Sequence, residues 1–121
     1  MKRQAERTVI IEECLGRASD LVGLVDYAKD AIVSKTILDR PAGTITLFAF
    51  DQGQRLSEHT SSYDAVVQVL EGQASITIGP RQSMVSAGQV IVMPAGVPHA
   101  VEASQRFKML LTMIKGRSDA R

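Results

Sequence analysis

Two histidines are the only imidazoles in this chain of 121 residues, and each sits where chemistry is plausible. His59 lies near the start of "SEHTSSYDAVVQVLEG", Ser57 to Gly72, ahead of a short apolar strand that stops at a glycine. His99 ends "MPAGVPH", in which Pro94 and Pro98 stiffen a loop and Gly96 supplies a backbone conformation that other residues avoid. A rigid loop that delivers a lone imidazole to the start of a strand resembles site construction more than core packing. An imidazole ligates metal ions or acts as a general base, and what each ring meets in space decides between them.

The elements that must position these rings are strands. Glycines and prolines divide the chain into short runs rich in Val, Ile, Thr and Leu: "AIVSKTIL", "TITLFAF", "AVVQVLE", "ASITI", "VIVM" and "FKMLLTMI". Such runs, with turn residues between them, predict an all-β antiparallel sandwich or barrel. Helix is entertained only near Arg7–Leu15. In "TITLFAF", Ile45, Leu47 and Ala49 take one face, and Thr44, Thr46, Phe48 and Phe50 the other. "AVVQVL" and "MLLTMI" are apolar on both faces, which calls for a second layer outside the barrel, from another subunit or sheet. A homodimer is therefore expected. Met84, Met93, Met109 and Met113 read as core filler in preference to a soft pocket wall.

Length and composition bound the rest. One domain is expected: a barrel over residues 21–115, an N-terminal arm over 1–20 and a tail over 116–121. Charge is nearly balanced, 14 Lys+Arg against 13 Asp+Glu, with the basic residues scattered, so neither nucleic acid nor a membrane surface is an expected partner. Aromatic content is 4% with no Trp, which argues against a stacking platform for sugars or bases. The single Cys14 has no partner for an internal disulfide, and Glu12 and Glu13 interrupt the only apolar run near the start, so a cytoplasmic protein without a secretory signal is expected.

At this point the chain resembles the cupin superfamily, in particular its small single-domain bacterial barrels of RmlC-like type. In "GQVIVMPAGVPHAVEA", Gly88, Pro94, Gly96 and His99 fall on the Gly, Pro, Gly and His of the second cupin motif, while Ala103 replaces its final Asn. In "GQRLSEHTSSYDAVVQVLEG", Gly53, His59 and Gly72 match the first motif; its second His becomes Ser61 and its Glu becomes Ala65. The resemblance spans roughly residues 20–115. It implies a double-stranded β-helix, or jelly-roll barrel, whose pocket holds a divalent metal (Zn, Ni, Mn or Fe) through His59 and His99.

Two of the family's four ligands are thus absent. Asp64 adjoins the vacant Glu position and is the obvious substitute ligand, although strand alternation turns it away from Ala65, Val67 and Val69. Its alternative is a turn-capping side chain bonded to nearby backbone N–H groups. Ser61, Ala65, Val67, Val101 and Ala103 are expected to line the pocket beside the histidines. The resulting expectation is a small-molecule-binding barrel whose His59 and His99 share one pocket, with a divalent metal or without it. The alternatives are a metal-dependent enzyme of dioxygenase, isomerase or decarboxylase type, or a vestigial, non-catalytic dimeric barrel. The resemblance also leaves the N-terminal arm either flexible or exchanged as a strand between subunits.

Overall fold

Among the described residues nine antiparallel strands make the fold: β1 (Val9–Ile10), β2 (Ile32–Arg40), β3 (Gly43–Phe50), β4 (Arg55–His59), β5 (Tyr63–Ile78), β6 (Arg81–Ser86), β7 (Val90–Met93), β8 (His99–Glu102) and β9 (Phe107–Lys115). The structure, a computed structural model, describes residues 9–116; residues 1–8 of the expected arm and 117–121 of the expected tail lie outside the described residues. Among the described residues there is no α-helix, only short 3-10 turns at Glu12–Cys14 and Val22–Leu24, and no helix long and apolar enough to cross a membrane. The first sheet runs β1-β2-β3-β9-β5-β7 and the second β6-β5-β8-β4, rolled face to face as a jelly-roll barrel. Of the described part of the arm, Val9–Ile10 pairs with Leu38 and Asp39 of its own chain.

Strand β5 joins the two sheets, and it corrects the reading of Gly72 as a stop. "AVVQVLE" and "ASITI" are one continuous strand of 16 residues. Its first half pairs with β7 and β9, and its second half with β6 and β8. The bend falls at Gly72, where φ is +77° and a Cβ would lie 2.2 Å from the Arg106 carbonyl oxygen. Only glycine permits that backbone conformation and that approach together. The strand therefore turns the corner of the barrel at Gly72 instead of ending there.

The core lies between the sheets. Val67, Val69, Ile76, Val101, Phe50 and Phe107 are fully buried, and the two phenylalanine rings stack with centroids 4.5 Å apart. Each such side chain contributes roughly 1.5–3 kcal/mol by leaving water. The alternation read in "TITLFAF" holds: Phe48 and Phe50 face this core, whereas Leu47 and Ala49 face outward yet are fully buried.

The second layer over that outer face comes, in part, from the chain itself. Val25, with Leu21, Leu24 and Tyr27, packs against Leu47, Ala49 and Leu110. Polar contacts fasten this cover: Lys108 Nζ donates to the Val22 carbonyl at 2.8 Å, and Tyr27 OH donates to Glu71 Oε2 at 2.6 Å. Burial, with the Glu71 carboxylate, pushes the Tyr27 hydroxyl far above the usual phenol range, so it stays a donor. Asp51 accepts from Arg106 Nε at 2.8 Å and from the Asp30 N–H at 2.7 Å, and both hold its carboxyl below the usual range. The cover stops short of Val90, Val92 and Ile114, which remain 60%, 52% and 53% exposed on the same outward face.

Candidate functional site

The two histidines meet because β4 carries a bulge. In the β4–β8 ladder Arg55 faces Glu102 and Leu56 faces Val101, but the next pair is His59 with His99. Ser57 and Glu58 together therefore oppose the single residue Ala100. From an inward Leu56, strict alternation would turn Glu58 inward and His59 outward; the extra residue reverses this. The bulge thus exchanges a carboxylate for an imidazole on the barrel's inner face.

The rings lie edge to face, with centroids 4.4 Å apart and planes at 70°. His99 is 4% exposed, whereas His59 is exposed at the mouth. His59 Nδ1 donates to the Ser57 carbonyl at 2.8 Å, and His99 Nδ1 donates to the Val97 carbonyl at 3.2 Å. A carbonyl oxygen only accepts, so each Nδ1 carries a hydrogen, and in the neutral ring the lone pair is on Nε2. Burial lowers the pKa of His99 below its ordinary 6.5; the Val97 bond opposes this, and nearby His59 adds to the lowering. His99 is therefore neutral at neutral pH, as a metal ligand must be.

The loop before β8 is clamped by the turn after β4. Asp64 is exposed, and its Oδ1 accepts from the Ala95 N–H at 2.8 Å. The Gly96 N–H donates to the Ser61 carbonyl at 2.8 Å, and the Gly79 N–H donates to the Pro98 carbonyl at 2.8 Å. Asp64 therefore bonds the backbone of the His99 loop and not the N–H groups of its own turn. The structure does not bring it to the histidines, and among the described residues no three His, Cys, Asp or Glu side chains gather as a metal-ligand group. Ser61 Oγ accepts from the Tyr63 N–H at 3.0 Å, which closes the turn.

Between the sheets, against both histidines, lies a cavity of about 50 Å³. Ala65 and Val101 line it, whereas Ser61 lies outside its wall and Val67 and Ala103 are fully buried core residues outside it. The remaining wall is Leu56, Leu111 and three methionines, Met93, Met109 and Met113. Sequence reasoning assigned these methionines mainly to core filling. The clue that places two of them is register: Met93 on β7 and Met113 on β9 both pair with Ala65 on β5. Met84, by contrast, is 48% exposed. A larger hollow of about 250 Å³ runs along Arg55–Glu58 and Ala100–Glu102 but holds neither histidine, so the site chemistry belongs to the smaller cavity.

The fit to a metal ion is good for two ligands and poor for a third. Two imidazoles line the cavity, but no carboxylate does, so the 2-His-1-carboxylate set of non-haem iron oxygenases is not completed. A cavity of about 50 Å³ accommodates an ion with a little water, well short of the roughly 300–1,000 Å³ typical of organic-ligand pockets.

Comparison with known proteins agrees with this architecture. A conserved protein of unknown function from Streptococcus pyogenes superimposes with a TM-score of 0.81 at 40% identity, covering 86% of this chain and 91% of that one. A cupin superfamily protein from Desulfitobacterium hafniense DCB-2 superimposes with a TM-score of 0.80 at 26% identity, over 84% of this chain and 94% of that one. An uncharacterised Streptomyces coelicolor protein is 38% identical over 56 residues, which are 46% of this chain and 53% of that protein, so the chain spans about half the length of this curated relative. The family model described as "Cupin domain" matches residues 46–114, more than half of the chain, from β3 through the histidine pair to β9. The chain belongs to the cupin family.

Proposed function

We propose that this cupin barrel is a binding protein that holds a metal ion between His59 and His99, with open coordination positions for a small ligand. The fold commonly binds metal ions and small molecules; the finer reading rests on one observation. Both imidazoles donate Nδ1–H to backbone carbonyls, and the two rings line one cavity with centroids 4.4 Å apart, which leaves the Nε2 of each as the nitrogen to offer an ion. Such backbone bonds orient a ligating ring and raise its basicity. A ligand would enter past the exposed His59, and the small cavity restricts its buried part to a few atoms. The missing carboxylate favours binding over oxygen chemistry.

Elemental analysis of the purified protein, of His59→Ala and of His99→Ala tests this. Near-stoichiometric metal in the parent and its loss in both variants is the expected result. No metal after reconstitution with Zn(II), Ni(II), Mn(II), Fe(II) or copper would overturn it.

The barrel is further proposed to pair with a second copy through the uncovered part of its outer sheet face. Val66 and Val92 are cross-strand neighbours there, flanked by Val90 and Ile114. Exposed aliphatic side chains contiguous on a sheet are a surface that association would bury.

A further inference from the structure

We propose that the pocket is a copper(I) site, in which the thioethers of Met93 and Met113 join the Nε2 atoms of His59 and His99 as donors. This rests on the reading of the histidine pair as a metal site and names the ion it takes.

Three features of the cavity carry the inference. The first is donor softness. Two histidines and three methionines line the cavity, and no Asp or Glu does. Thioethers are poor donors for Mg(II), Mn(II) or Fe(II) and good ones for Cu(I). The second is placement. Met93 and Met113 approach the cavity from opposite sides of Ala65, on the same rung of the sheet. The small Ala65 side chain leaves that rung to the two longer ones. Met109 pairs with Val69, further along β5, and completes the wall.

The third feature is charge. Every group lining the cavity is neutral once His99 and His59 act as ligands, so an ion bound there keeps its full charge. The idealised cost of burying an ion rises with the square of its charge, so a monovalent ion pays about a quarter of a divalent ion's cost. An all-neutral, apolar cavity therefore discriminates against dications and admits Cu(I). The site differs in this respect from the Zn, Ni, Mn or Fe centre that the motif resemblance implies.

The test is an anaerobic titration of the reduced apoprotein with Cu(I) against a chromophoric Cu(I) chelator, with a parallel Zn(II) titration. Four variants join the parent: His59→Ala, His99→Ala, Met93→Leu/Met113→Leu, and Met84→Leu as an exposed control. Leucine keeps the volume and apolarity of methionine, so the fold should be retained. The expected result is one Cu(I) per chain, lost in both histidine variants. In the double methionine variant Cu(I) should bind roughly tenfold or more weakly, about 1.4 kcal/mol or more. Met84→Leu should be unchanged, and copper X-ray absorption should show sulfur scattering in the parent that the double variant lacks. If the double variant binds Cu(I) as tightly as the parent while the histidine variants lose it, the thioether assignment is overturned and the metal-site reading stands. Histidine-dependent Zn(II) binding tighter than Cu(I) overturns the copper assignment in the same way. If neither ion binds in a histidine-dependent manner, both readings fall.

Discussion

Asp64 offers a direct test of how the site is held. Its carboxylate accepts from the Ala95 N–H at 2.8 Å, on the loop that presents His99. In Asp64→Ala that N–H loses its partner, and the loop keeps two backbone bonds to neighbouring segments, from Gly96 to Ser61 and from Gly79 to Pro98, besides its internal Val97-to-Pro94 bond. A hydrogen bond of this kind contributes about 0.5–1.5 kcal/mol, and the exposure of Asp64 argues for the lower half of that range. If the whole loss falls on ordering the loop, metal affinity should weaken roughly two- to fivefold. Stoichiometry at saturating metal should not change, because Asp64 supplies no bond to the ion. Asp64→Asn keeps an acceptor oxygen and should recover most of the affinity. The assay is competitive metal titration of the three proteins, with thermal melting to check the fold. Complete loss of metal in Asp64→Ala, matching His99→Ala, would make Asp64 a ligand and refute the loop-bonding account. Asp64→Asn as weak as Asp64→Ala would also refute it, because charge and not hydrogen bonding would then be at work.

Three further outcomes follow from the geometry. Gly72→Ala should destabilise the fold by about 2–4 kcal/mol, since φ of +77° is costly for alanine and its Cβ would overlap the Arg106 carbonyl; a urea-unfolding difference below about 1 kcal/mol would contradict the corner assigned to Gly72. Because the folded pKa of His99 lies below 6.5, unfolded chains bind more protons, and apoprotein stability should be full above that pH and fall as pH drops through it. Melting at about pH 7.5 and 5.5 should show a smaller loss for His99→Gln, and equal losses would remove burial as the cause. The parent should have a dimer mass by light scattering at micromolar concentration. Val92→Glu, which places a charge on the uncovered sheet face, should give a monomer that still binds metal; a monomeric parent, or a dimeric variant, would count against that face as the contact.

What the sequence disclosed was whatever local backbone chemistry decides. Pro94, Gly96 and Pro98 specify their loop without help from distant residues, so the delivery of His99 to the start of a strand was legible. Alternation in "TITLFAF" was legible because a period of two is visible in any strand with unlike faces. Alternation also turned Asp64 away from Ala65, and the structure places it on that exposed side. The features missed belong to register. The polar β4, "RLSEH", carries a single apolar residue, Leu56, too little to show a period, and nothing in its composition marks Ser57 and Glu58 as sharing one partner. Gly72 read as a stop because a glycine that ends a strand and one that bends it look alike until the Arg106 carbonyl is seen beside it.

The methionines show the same limit with a chemical consequence. "VIVM" and "MLLTMI" are apolar on both faces, so neither run says which methionines face the histidines. Pairing on β5 decides it, and both Met93 and Met113 land beside Ala65. Ala65 occupies the position where the first cupin motif carries glutamate, and read alone it signals a lost ligand and a weakened site. Read with its two cross-strand neighbours, it is a small, uncharged side chain between Met93 and Met113 on one rung of the cavity wall. If the proposed copper site forms there, ligand softness and site charge change together. Under the proposed copper(I) reading, ligand depletion in the motif exchanges one ion for another and does not by itself make the pocket vestigial.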